Sequence, residues 1–213
     1  MANISKINGF RPVKHVTGAP YNGQSNIYAV ASGDSTALFV GDVVKLAADG
    51  NATAGVQYVT ALAAGVAGTG QPALGVVVGI INTKLDPVTG NMSAGSISLD
   101  TPVYRPASTE QYVLVADSPD LIYEVEATAA GSAYAFAVAD IGQNANLFAG
   151  AGSTSTGNSA HSLNMSDKGT AATLPFKIMG VAAKVGNEVT GNYTKVNVQI
   201  NNHQYKSVGT VGV

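Results

Sequence analysis

Chemistry needs side chains that exchange protons, hold cations or attack electrophiles, and this chain offers few of them. His15, His161 and His203 lie far apart, with no paired His or His–acid spacing suited to a metal, and read as three unrelated surface or interface residues. Cysteine is absent, which excludes disulfides, thiolate metal sites and cysteine nucleophiles. Glu124 and Glu126 are two apart and would share one face of a strand, whereas a glycosidase pair must face each other across a substrate. Asp117 and Asp120 could offer oxygens to calcium, but Asp around Ser118-Pro119 is also turn chemistry. Gly150-Ala-Gly152 lacks the third glycine of a dinucleotide loop and the lysine of a P-loop, and no Gly-x-Ser-x-Gly elbow occurs. The Asn-x-Thr triplets at Asn51 and Asn192 are chance products of a chain rich in these residues. The expectation is a protein with no enzyme activity, no cofactor and no bound metal.

Composition points the same way. Charged residues make up 11% of the 213 positions, against about 25% in an average domain. A free monomer normally keeps a more charged surface, so low charge suits a component whose surface is covered by neighbours. The net charge of −2, with no run of Lys or Arg, gives no electrostatic case for nucleic acid. The longest apolar run, near Ala73–Ile81, falls far short of the roughly 20 residues of a membrane helix. Met1-Ala-Asn-Ile-Ser-Lys6 has no basic start or apolar stretch of a signal peptide, so a soluble protein made in a cytoplasm is expected.

The elements that must position these residues are strands. Tyr193–His203 alternates strictly: Val196, Val198 and Ile200 take one side, Lys195, Asn197, Gln199 and Asn201 the other. It follows Phe176–Val185 as a closing hairpin. Leu38–Leu46 is a strand bent or bulged at Gly41, and Val56–Val66 is a strand pair or short helix. Ala73–Ile81 is β-branched throughout and belongs in a central strand buried on both faces. A loop covers Asp86–Asn91, and Pro102–Pro106 is an extended edge. Tyr112–Ala116 and Leu121–Glu126 are strands joined by a compact turn; Ala133–Ala139 is a strand candidate, or alternatively Asp140 begins a short helical turn through Gln143 to Phe148. Ala149–Ala160 is a flexible low-complexity loop, and no internal repeat is visible. The organisation expected is an extended N-terminal arm over 1–33, a β domain over 34–205 and a tail over 206–213.

Breakers at Gly9, Pro12, Gly18, Pro20 and Gly23 deny the arm a core of its own. Its aromatics and cations, Phe10, Arg11, Lys14, Tyr21 and Tyr28, are therefore the expected subunit-interface residues.

Three blocks carry a resemblance. They are Gly9-Phe-Arg-Pro-Val-Lys-His15 with Pro20-Tyr-Asn-Gly-Gln24, then Tyr112–Glu126, then Tyr193–Tyr205. Together they resemble the head decoration, or cement, proteins of tailed bacteriophages. The resemblance implies an all-β protein, a jelly-roll-like β-sandwich or alternatively a small β-barrel or β-tulip. It implies many copies on the outside of an icosahedral head, cementing neighbouring major capsid protein subunits, each copy part of a homodimer or homotrimer. It brings no catalytic residues. A phage tail or baseplate component and a glycan-binding β-sandwich are the alternatives; the absence of Trp counts against the second.

Overall fold

A computed structural model describes residues 3–52, 54–65, 70–81, 84–85, 92–93 and 101–206. The expected loop at 86–91 and the tail beyond Lys206 lie outside these residues. The strands are β1 (Arg11–His15), β2 (Asn26–Val30), β3 (Val43–Asn51), β4 (Val56–Ala61), β5 (Gly75–Ile81), β6 (Lys84–Leu85), β7 (Met92–Ser93), β8 (Gln111–Ala116), β9 (Leu121–Thr128), β10 (Asn144–Phe148), β11 (Ser162–Gly169), β12 (Phe176–Val181) and β13 (Lys195–Ile200). Among the described residues the only helical element is a single 3₁₀ turn at Val138–Asp140.

The all-β expectation holds, but the strands do not stack as a sandwich. They close into rings. β2-β4-β3-β5-β8 forms a closed barrel. In the second sheet the pairing runs β9-β11-β10-β12-β13, and β13 pairs back onto β9. Five strands cannot alternate direction all the way round a ring, so each ring must contain a parallel neighbour. Each has one, in the same place: β2 beside β4, and β9 beside β11.

The two rings are in fact the same structure twice, a repeat that the sequence reading does not detect. In both, the first strand pairs with the third and fifth, and the second with the third and fourth. The fourth strand carries a bulge at the same point, between Val77 and Gly79 and between Ile178 and Gly180. A left-handed glycine precedes the second strand, Gly41 at φ 98° and Gly142 at φ 90°. Each donates to the fourth strand, Gly41 N to Val77 O at 2.8 Å and Gly142 N to Ile178 O at 2.9 Å. Matching the registers pairs Val44 with Ala145, Leu46 with Leu147, Val77 with Ile178, Val113 with Val196 and Val115 with Val198. All ten lie in the two apolar interiors.

Period-two alternation then explains the joint. Val44, Val77 and Val115 point into the first ring, so Val43, Val76 and Ala116 point out of it and join the core of the second. Val76 and Val77 are both fully buried, as expected of a strand covered on both faces. The tight turn from β8 to β9 and the Tyr123 hydroxyl donating to Ala116 O at 2.8 Å lock the rings together.

Three local expectations are corrected. Residues 144–148 form β10 rather than a helical turn, because their backbone groups pair with β11 and β12. Ala133–Ala139 forms no strand: it contributes an isolated bridge, Ala135 to Asn192, and the first two residues of the 3₁₀ turn. Most importantly, residues 3–33 do not project as an arm. β1 pairs with β9, β2 closes the first ring, and Phe10 and Ala29 are buried in the core. The breakers bend this segment across the body rather than away from it. The turn at Gly18 returns the chain so that His15 N donates to Ala19 O and Tyr21 N to Val13 O.

Candidate functional site

The five interface residues expected from sequence divide into two groups. Phe10 and Tyr28 are buried and face inward. The Phe10 ring lies 4.6 Å from that of Phe176, where it fills the seam between the rings. The Tyr28 hydroxyl donates to Asp117 Oδ2 at 2.6 Å and lies 3.2 Å from the Tyr205 hydroxyl; burial and the Asp117 charge push its pKa well up. In the folded chain neither lies on the exposed surface. Arg11 and Lys14 are exposed on β1, and Tyr21 is half-buried with its hydroxyl donating to Gln24 O at 3.1 Å.

Arg11 and Tyr21 meet at a cavity of about 360 Å³ on the seam between β1 and the first ring. Phe10, Pro12, Val40, Val77 and Val78 give it an apolar lining, and Asn8, Asn158 and Arg11 give it a polar one. Two glycines set its shape. Gly9, at φ 70°, lies so close to Gly41 that a Cβ there would come within 2.5 Å of Gly41 O. Phe10 N donates to that same oxygen at 2.9 Å. Lys14 and Tyr28 do not line the cavity. Of the other lining residues, Gly41 stood out in the sequence as a bend and Pro12 as a breaker, and Val40, Val77 and Val78 fell in expected strands; Asn8 and Asn158 carry no signal short of the fold.

Opposite β1, the outer face of β9 carries a charge network. Glu126 accepts from the Ser5 hydroxyl at 2.9 Å, from Lys6 N at 2.8 Å and from Lys195 Nζ at 3.0 Å. Glu124 pairs with Lys184 at 2.6 Å. The shared face expected for these two carboxylates is observed, and each is neutralised by a partner.

The histidines need correction: His161 and His203 are buried. His161 Nδ1 accepts from Val43 N at 3.1 Å, and its Nε2 lies 3.4 Å from Asp42 Oδ1. Burial pushes Asp42 up, against the lowering effects of His161, the Ser159 hydroxyl and Phe39 N. Burial pushes His161 down, against the attraction of Asp42. Ser159, His161 and Asp42 are the residue types of a nucleophile triad in the wrong order. The hydroxyl contacts the carboxylate and His161 N, not the imidazole, and all three residues are buried. The arrangement clasps the Gly41 turn. Asp117 accepts from Asn26 and Tyr28, and Asp120 lies 3.8 Å from Lys206. Among the described residues no three His, Asp or Glu side chains come together as a metal site.

Comparison with protein-family models, with curated proteins and with solved structures found no match to this chain.

Proposed function

We propose that this chain is a structural virion protein that binds the outer surface of an icosahedral phage head and cements neighbouring major capsid protein subunits. The observation that carries the reading is the convergence of the three cement-like sequence blocks. Far apart in the chain, they become β1, β9 and β13, three adjacent strands, with β8 leading directly into β9. Blocks that resemble one family's pattern are expected to gather in space if they serve one purpose, and here β1 and β13 both pair with β9. Two closed rings leave few unpaired strand edges, which suits a protein packed at high local concentration on a shell. The low charge fits a surface that neighbours cover. Self-association as a dimer or trimer belongs to the same proposal.

The test is protection. Heads assembled without this protein are heated with and without the purified chain, and genome release is followed with a DNA-binding dye. Saturable protection, with release at a higher temperature, is expected. Release at an unchanged temperature, with no chain sedimenting with the heads, refutes the proposal.

A further inference from the structure

We infer that the cavity beneath Arg11 is the socket for the capsid, taking one apolar side chain of the partner while Arg11 pairs with a carboxylate beside it. This rests on the cementing role proposed above and names its contact.

The repeated architecture separates this feature from the background. The first ring contributes Val40, Gly41, Val77 and Val78 to the cavity. Their counterparts in the second ring are Ile141, Gly142, Ile178 and Met179, held by the same hydrogen bonds. Among the described residues no hairpin crosses that second notch, and Met179 is 41% exposed. Only at the first ring does the β1 hairpin lie across the notch and wall it in with Phe10, Pro12 and Tyr21. The socket is therefore an addition to the common plan, supplied by the very segment that carries the first cement-like block.

Charge selects the occupant. Arg11 sits across the register from Glu124, yet that carboxylate is taken by Lys184. Among the described residues the Arg11 side chain has no hydrogen bond or ion pair, and no carboxylate lines the cavity. Lys14 on the same strand adds to the positive field. A guanidinium with free donors at an apolar mouth matches a carboxylate next to a hydrophobic side chain. The cavity volume is at the lower end of those that hold small ligands and suits one large side chain. The Gly9–Gly41 contact fixes the floor before the partner arrives, so little ordering remains to be done on binding.

Heads assembled without the chain are titrated with wild-type protein and with Arg11→Glu, Arg11→Lys and Val78→Asp variants, and bound protein is measured by sedimentation. Arg11 is exposed, so its variants should melt with the wild type, which circular dichroism checks. Half-saturation for Arg11→Glu and Val78→Asp should rise at least about tenfold, with Arg11→Lys between them and wild type. Wild-type half-saturation for Arg11→Glu overturns the socket while leaving the cementing role standing. Failure of the wild type itself to bind overturns the role and the socket together.

Discussion

Arg105 is fully buried, yet its guanidinium meets carbonyl oxygens rather than a carboxylate. Its nitrogens donate to Ala31, Asp34, Thr36 and Thr109 at 2.6 to 3.0 Å and tie together the loops around the first ring. Arg105→Met would leave these acceptors facing an apolar chain and should cost at least about 3 kcal/mol in denaturant unfolding, with Arg105→Lys recovering only part. The sequence shows only an arginine between two prolines; nothing local reveals that carbonyls from distant loops converge on it. By contrast, the two faces of β13 were legible. Val198 is fully buried and Asn197 is half-buried on the other side. Val198→Asp should therefore cost about 3 kcal/mol or more, while Asn197→Asp stays near wild type; equal melting temperatures would reverse the face assignment. Acidity probes His203, whose pKa burial lowers from 6.5 and whose Nδ1 accepts from Tyr205 N at 3.0 Å. Below pH 6.5 the unfolded chain takes up a proton that the folded one resists. Stability is thus lost as pH falls, by up to about 1.4 kcal/mol per pH unit for this residue and likewise for His161. Asp42, raised rather than lowered, acts in the opposite sense. His203→Gln leaves Asp42 in place, so its shallower melting-temperature slope between pH 7 and pH 5.5 isolates one imidazole; an unchanged slope would contradict its burial as a neutral ring.

At the scale of elements, the glycine before the second strand of each ring carries a backbone demand. Gly41 and Gly142 share the left-handed backbone, so alanine strains both by about 1–2 kcal/mol. Gly41 carries an additional constraint, since a Cβ there would come within 2.9 Å of Asn8 O and 3.2 Å of Ser159 Cβ. Gly41→Ala should therefore lower the melting temperature more than Gly18→Ala, where φ is 92° but a Cβ would meet nothing within 4 Å, and the reverse order would contradict the packing of the N-terminal segment on this turn. Strands with strong period-two or β-branched patterns, such as β5, β8 and β13, were legible because each face announces its environment. β10 was not, since Asn144-Ala-Asn-Leu-Phe148 has weak local preference and its state is decided by pairing to β11 and β12. Ring closure was likewise hidden. It depends on registers between strands far apart in the chain, and the two rings keep the same registers with mostly different residues. Of the candidate site, Arg11 and Tyr21 were legible as a cation and an aromatic without a local core, but the wall they complete belongs to another strand system.

At the scale of the molecule, the N-terminal segment is part of the body. Deleting residues 1–33 would remove Phe10 from the seam and β2 from the first ring, opening it. The truncated protein should lose its cooperative thermal transition by circular dichroism, whereas a merely appended segment would leave the melting temperature intact. The same integration gives the proposed cementing role a rigid geometry: two fused rings with the β1 hairpin and its socket on one side. Cryo-electron microscopy of heads incubated with the chain, compared with heads lacking it, tests that role most directly. The account predicts added two-lobed density on the outer shell, bridging neighbouring capsid subunits with the β1 hairpin turned towards the shell. An outer surface unchanged by saturating protein would contradict it, as would density confined to the tail.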